Sequence, residues 1–326
     1  MKLSRARTMG QFSSDSSPGQ SIVQPSFFDS LRPKASIETD YGMFFNNDCE
    51  EIISMLPSNS MDVIFADPPY NIGKIADWDK FPKIEDYVNW CKSWIISLHR
   101  ILKDTGSLFI MGFSEILALV QAAVISKFKS CRWLIWHYKN KPNLSKSDWV
   151  RSHEAILHLR KSSNFFFAAD KIREPYNIHT RKYPERTQGK SSQYGKKSDD
   201  THLWRPNVRG AKPRDVLDIP AINNSMKEKT AHPTQKPEAL LRKLLLGTCP
   251  PAGGVVFDPF AGSGTTLIVA EQAKAFWVGA EISSKYSEII ESRIKSFLKA
   301  PKSLKYWLKL DYQRFLNRMK VRGYKV

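Results

Sequence analysis

Two short apolar runs, each emptying into a loop of unusual composition, constrain the fold of this chain more than any other feature. Met61-Asp-Val-Ile-Phe-Ala66 breaks on Asp67-Pro-Pro-Tyr70, and Val255-Val-Phe-Asp258 breaks on Pro259-Phe-Ala-Gly-Ser-Gly264. Such runs, bounded by turn formers, are the pattern of parallel strands buried on both faces. Apolar spacing predicts strands at Tyr41–Asp48, Ser107–Met111, Arg132–His137 and Ala275–Glu281. Helices are predicted at Cys49–Leu56, Tyr87–Leu102, Leu117–Phe128, Glu238–Leu246 and Thr265–Ala273. Pro237 suits a first helical position, Gly247 a helix stop, and Asp104-Thr-Gly106 a turn. Alternating strands and helices predict an α/β fold with a doubly wound, Rossmann-like sheet.

With 326 residues, the chain is long enough for about two domains, or one large α/β unit, at roughly 150 residues per domain. A balance of 50 Lys+Arg against 32 Asp+Glu gives a net charge of +18, which favours a polyanionic partner, nucleic acid first. No apolar run approaches the ~20 residues that span a bilayer, and the N-terminus carries no apolar signal segment, so a cytoplasmic protein without membrane contact is expected. Cys49, Cys91, Cys131 and Cys249 are far apart and lack a C-x-x-C spacing, so neither a metal site nor a disulfide framework is implied. The H-x-E and P-C-x-x-C signatures of zinc deaminases are absent.

Residues 1–35, rich in Ser, Gly, Pro and Gln, read as a mobile arm, and 36–138 as the first half of the folded domain. From 139 to 225 basic, polar and proline residues dominate, with strand-like islands at Ala155–Leu159 and Asn164–Phe167; this stretch reads as an inserted recognition region. Residues 226–300 resume the fold, and 301–326 form a basic, amphipathic helical extension.

The two loops differ in chemistry. The glycine loop lies where a strand hands over to a helix, the usual place for a cofactor in an open α/β sheet. It lacks the lysine of a phosphate loop and the full G-x-G-x-x-G fingerprint, whereas Glu281, ending the next strand, is placed like an acid that holds ribose hydroxyls. An uncharged adenosine tail fits both features; a purely structural glycine turn would share the composition. In the other loop, Asp67 and the Pro68 carbonyl form an acceptor pair for an aromatic amino group. Such an amine is a poor nucleophile until hydrogen bonds draw its lone pair out of the ring. The prolines stiffen the peptide, and Tyr70 offers a face on which an extruded base can stack, worth ~1–3 kcal/mol. An Asp-initiated proline turn remains the bland alternative.

Taken together, these motifs resemble the β-class amino-methyltransferases of bacterial restriction–modification systems, which use S-adenosylmethionine. Further matches are Asp48-Cys49, Arg151-Ser-His-Glu154, Arg173-Glu-Pro-Tyr176, Asn207 after Leu203-Trp-Arg-Pro, His232-Pro-Thr-Gln-Lys-Pro237 and Phe260-Ala-Gly-Ser-Gly-Thr-Thr266. The resemblance implies a permuted methyltransferase sheet, with the catalytic motif before the cofactor motif. It implies catalysis by Asp67, Pro68, Pro69 and Tyr70, and a cofactor pocket of Asp48, Lys236, Asp258, Phe260, Ala261, Gly262, Ser263, Gly264, Thr265 and Glu281. Lys236 would close that pocket near the methionine carboxylate; by themselves Lys236 also reads as a solvated helix-start lysine and Asp48 as a helix cap.

Asp67, where the cytosine enzymes usually carry Ser, implies methylation of adenine N6, with cytosine N4 the runner-up and a DNA-binding protein without catalysis the reading from another class. The implied partners are double-stranded DNA and a cognate restriction endonuclease that shares the target site without direct binding; monomer and homodimer both stay open. In the insert, Lys196, Lys197, Arg205 and Arg209 belong to a basic run interleaved with Gln188, Gln193, Tyr194 and Asn207, the composition needed for phosphate and base-edge contacts.

Overall fold

The computed structural model describes residues 23–71, 81–141, 147–188, 202–251 and 253–321, in two compact units. The larger takes Val23–Ala168 and Arg214–Lys309, the smaller Ala169–Pro213 and the residues from Leu310 onward. The larger unit begins with α1 (Phe28–Leu31), β1 (Ile37–Glu38), β2 (Gly42–Phe45), α2 (Cys49–Met55), β3 (Met61–Ala66) and α3 (Ile84–Ile101). It continues through β4 (Leu102–Gly112), α4 (Ser114–Val124), β5 (Ser130–His137) and β6 (His153–Arg160). The smaller unit contributes α5 (Ile178–Lys182), β7 (Arg186–Gln188) and β8 (His202–Trp204). Then follow β9 (Val216–Asp218), α6 (Glu238–Thr248), β10 (Val255–Asp258), α7 (Thr265–Ala273), β11 (Phe276–Ala280), α8 (Ser284–Lys299) and α9 (Leu304–Val321).

In the larger unit nine strands form one sheet in the order β1-β2-β11-β10-β3-β4-β6-β5-β9. From β2 to β4 all neighbours are parallel; β6 runs antiparallel to both β4 and β5. Every residue of β3 is buried, and its side chains alternate between two cores. Ile64 and Ala66 join Trp94, Ile95, Leu98 and Leu117 from α3 and α4 on one face, while Val63 and Phe65 join Leu240, Leu244, Leu267 and Ile290 from α6, α7 and α8 on the other. Period-2 side chains on a strand covered on both faces give this arrangement, and each such buried aliphatic or aromatic side chain contributes about 1.5–3 kcal/mol. The α/β doubly wound expectation is therefore met.

Several local readings change. The arm read over 1–35 includes α1, whose Phe28 and Leu31 are buried in the core, and Gly247 lies inside α6 rather than stopping it. Asp104-Thr-Gly106 is not a turn: β4 leaves α3 directly, and a register shift between Met61 and Val63 of β3 takes up the extra residues of β4. Ala155–Leu159 lies within β6, between β4 and β5 in the main sheet, although it sits in a basic stretch of sequence. Asn164–Phe167 is not a strand; Phe165 instead packs under the Arg160 guanidinium, 4.5 Å from its ring centroid.

Gly42 on β2 faces the Trp277 indole so closely that a Cβ would sit 2.1 Å from its Cδ2. Gly42→Ala must therefore push a fully buried tryptophan out of place, and overpacking of this kind costs about 1–3 kcal/mol. Urea denaturation should show that loss; an unchanged midpoint would mean that the sheet relaxes there without cost.

Candidate active site

Register places the two loops side by side. Ile64 of β3 lies beside Phe257 of β10, so Asp67 and Phe260, each three residues further on, leave the same carboxyl edge as neighbours. Asp258 pairs with Gly279 of β11, which brings Glu281 to the same edge. Because β6 is antiparallel, its first residues arrive there too, with Gly112 beside Ala155 and Glu154 next in line.

On the glycine-loop side the backbone is tightly specified. Gly262 and Gly264 have φ of 54° and 73°, in the left-handed region that glycine tolerates, and Gly264 is the N-cap of α7. Glu281 accepts from the Gly262 N–H at 2.8 Å and from the Ser283 N–H at 2.9 Å, leaving lone pairs on both oxygens. Asp258, buried, accepts from the Phe260 N–H at 3.0 Å. The Ala261 N–H donates to the Ala280 carbonyl, Thr265 to the Lys236 carbonyl, and Arg293 to the Ser263 carbonyl at 2.6 Å. Phe260 packs edge-on against Trp94 at 5.2 Å. Asp48 caps α2, accepting from the Glu50 N–H at 2.7 Å. His232 stands over Gly262, and its Nδ1 is a buried polar atom with no hydrogen-bond partner among the described residues.

On the other side Asp67 sits in a buried ionic cluster. Its Oδ1 accepts from the Tyr70 hydroxyl at 2.6 Å, and its Oδ2 pairs with Lys236 Nζ at 2.7 Å. Glu154 Oε2 lies 3.2 Å from the Tyr70 hydroxyl and 3.7 Å from Lys236 Nζ. Its Oε1 accepts from Lys141 at 3.0 Å and from the Tyr138 hydroxyl at 3.3 Å. Lys236 also donates to the Thr234 carbonyl. Tyr87 donates to the Pro69 carbonyl at 2.6 Å, fixing the proline pair, and Phe113 meets the Tyr70 ring edge-on at 5.1 Å.

Burial pushes the Asp67 carboxyl up, against the opposing pull of Lys236. Burial acts the same way on Glu154, but two ammonium groups, Lys236 and Lys141, outweigh it and hold Glu154 below the usual carboxylate range. Burial and the two carboxylates drive the Tyr70 phenol well up, so it remains a donor. Burial lifts Asp258 to about 7 and Glu281 upward as well.

Of the residues expected at the site, Asp67, Tyr70 and Lys236 meet in one cluster, and Asp258, Phe260, Gly262 and Glu281 in the neighbouring loop. Lys236 is buried and its ammonium pairs with Asp67, so it is not a solvated helix-start lysine. Glu154 stood among the quoted matches, in Arg151-Ser-His-Glu154, without a role at the site, and Tyr138 and Lys141 were not expected at all. A signal existed for Glu154 alone, since an acid directly before a five-residue apolar island mirrors Asp67 directly after one. Lys196 and Lys197 lie outside the described residues. Arg205 and Arg209, in the smaller unit, are exposed and paired with Glu185 and Asp170.

The profile of the DNA methylase family N6_N4_Mtase matches residues 61–292. The type II methyltransferase M.ScaI of Streptomyces caespitosus is 29% identical over 275 residues, 81% of this chain and 84% of the relative. The DNA adenine methyltransferase YhdJ of Escherichia coli K12 is 33% identical over 259 residues, 74% of this chain and 81% of the relative. Among solved structures, the PvuII cytosine-N4-specific DNA methyltransferase superposes with a TM-score of 0.61 at 18% identity, covering 87% of this chain and 95% of that one, which shows a shared fold.

The raised Asp258 carboxyl gives a signed pH dependence. Between its ordinary value of 3.8 and about 7 the folded chain binds the proton more tightly than the unfolded chain, so this group's contribution to stability falls as pH rises through that window. Asp258→Asn should therefore be relatively more stable at pH 8 than at pH 5 when compared with the unmodified chain, as read from urea midpoints without added ligand. An equal difference at both pH values would show that Asp258 titrates normally.

Proposed function

Starting from the N6/N4 DNA methylase family, to which this chain belongs, we propose that it methylates adenine N6 at a specific site in double-stranded DNA. S-adenosylmethionine is the methyl donor. The residues of the glycine loop fit a nucleoside cofactor: a buried carboxylate with open lone pairs, glycines that expose backbone, and an unpartnered buried His232 nitrogen. Glu281 would hold the ribose hydroxyls, Phe260 and the loop backbone the adenine end, and Asp258 keeps the loop in shape through the Phe260 N–H. When bound, the cofactor supplies an electrophilic methyl on sulfonium.

The observation that carries the reading is the placement of Asp67 beside that loop at one sheet edge. An amine held by Asp67 and the Pro68 carbonyl would have its lone pair turned out of the ring and free to take up the methyl. The methyl–sulfur bond would break as the carbon–nitrogen bond forms, the cofactor would leave as a neutral thioether, and the surplus N–H proton would pass to Asp67 and on to solvent, leaving the neutral methylated amine. The amine of a paired adenine is engaged in the duplex, so the base must be flipped out, with Tyr70 beside it.

Adenine is favoured over cytosine N4 by the Asp that opens the motif and by the 33% identity to a named adenine enzyme. The remaining assignments extend this reading. The target is read by the insert, with Lys196, Lys197, Arg205 and Arg209 on phosphates; methylation protects host DNA from an endonuclease with the same target, in the cytoplasm. No described helix is long and apolar enough to cross a membrane.

Mass spectrometry of nucleosides from DNA of cells expressing the gene should find N6-methyladenine, absent with Asp67→Ala although that variant still binds S-adenosylmethionine. N4-methylcytosine in its place would move the assignment to cytosine. Gly262→Val puts a branched side chain at a left-handed φ, where the Cβ alone comes 3.1 Å from the His232 ring; calorimetry should show cofactor affinity lost, and unchanged affinity would remove the loop from the pocket. Removing Lys196 and Lys197 should weaken binding on all sequences alike and lower the salt slope by about 0.9 per lost phosphate contact.

A further inference from the structure

The cluster around Asp67 poses a chemical difficulty for the reading above, on which this inference rests. An amine is activated by a carboxylate of full negative charge. In this structure both Asp67 oxygens are taken, one by the Tyr70 hydroxyl at 2.6 Å and the other by the Lys236 ammonium at 2.7 Å. Each oxygen keeps a second lone pair, but an ammonium in contact neutralises the charge that the amine needs. For Asp67 to act, Lys236 has to go elsewhere, and a buried cation with nowhere to go would stay.

We infer that Glu154 is a positioning residue that receives Lys236 and the Tyr70 hydroxyl when the target amine engages Asp67. Glu154 Oε1 is anchored by Lys141 and Tyr138, both from the residues that follow β5. Its Oε2 faces the pair held by Asp67, 3.2 Å from one and 3.7 Å from the other. Lys236 Nζ is thus already within ion-pair distance of both carboxylates, and a shift of about one ångström toward Glu154 moves its close contact from Asp67 to Glu154. Lys236 keeps the Thr234 carbonyl as a nearby partner, and Tyr70 exchanges one carboxylate acceptor for another. With both carboxylates within reach of one lysine, the exchange keeps the buried ammonium paired, and Asp67, relieved of its cation, is covered by the hydrogen bonds of the incoming amine.

The test is methyl transfer by the full chain to a duplex carrying the mapped site, at saturating S-adenosylmethionine, with kcat, KM for DNA and cofactor affinity measured separately. Glu154→Gln keeps the shape but cannot hold an ammonium by charge, so Lys236 stays on Asp67. Its kcat should fall tenfold or more, with KM for DNA and cofactor Kd within about threefold of the unmodified chain. Glu154→Asp, which retains the charge one methylene short, should recover part of kcat. Adding Lys236→Met to Glu154→Gln should raise kcat above that of Glu154→Gln alone, because the clamp on Asp67 is gone; a merely structural cluster would give a worse double variant. The inference is overturned by a Glu154→Gln enzyme with unchanged kcat, by loss of cofactor binding together with kcat, or by a double variant slower than the single. If Glu154→Gln does not fold, a Glu154→Asp enzyme with unaltered kcat decides against it and one with lowered kcat at normal cofactor affinity supports it. An unmodified chain that methylates no DNA overturns the underlying reading instead, and is distinguished by the first measurement.

Discussion

The parallel ladder between β3 and β10 is the constraint on which the site depends, because it alone aligns the Asp67 loop with the glycine loop. A slip of one residue would turn every side chain of a strand to the opposite face. Here both faces resist that: Ile64 and Phe257 belong to the core under α2 to α4, and Val63 and Val256 to the core under α6 to α8. A polar pin adds to this at the start of the strands. The buried Asp62 carboxylate accepts from the Val255 N–H at 2.9 Å and from Lys103 at 2.7 Å, so β3, β10 and β4 are tied together before their apolar stretches begin. Two loops remote in sequence thereby acquire a fixed separation.

Beneath the glycine loop a second buried polar network supplies rigidity. Glu238 at the start of α6 holds Arg242 and Arg293 at 2.9 Å each, and Gln272 of α7 donates to the same carboxylate. Arg293 then reaches the Ser263 carbonyl, so the loop is held from below and its Gly262 side is left for a ligand. In this network every charged member is hydrogen-bonded to a partner, which is the condition under which buried polar groups specify one arrangement. The Asp67 cluster is different: it has two buried carboxylates within reach of one lysine, and that redundancy makes partner exchange inexpensive.

What was legible in the sequence follows from how many elements a feature needs. Strands β3 and β10 were legible because burial on both faces leaves short, continuous apolar runs, and Asp67 and the glycine loop followed as their ends. The capping role of Asp48 was equally local. Strand β6 was read as an island within an insert because its neighbours in sequence are basic and polar, while its partners β4 and β5 are set only by folding. The partner of Lys236 was beyond reach for the same reason. Its cluster draws Asp67 and Tyr70 from the loop after β3, Glu154 from the start of β6 and Lys236 from the approach to α6, with Tyr138 and Lys141 following β5. No local period records that convergence.

The same pairing chemistry has opposite meaning on the surface of the smaller unit. Arg209 and Arg173 share Asp170, and Arg205 pairs with Glu185, all with substantial exposure on at least one partner. Composition counted Arg205 and Arg209 as available to a polyanion, whereas the folded chain already neutralises part of their charge. Water and salt screen such pairs, so they hold little, and a phosphate that offers several acceptor oxygens competes well for the guanidinium. The buried Lys236–Asp67 pair cannot be surrendered to solvent in that way, because its members are enclosed and any separation must end on another internal partner. Burial thus decides whether an ion pair is a reserve of charge for an external ligand or a part whose rearrangement must be arranged within the protein.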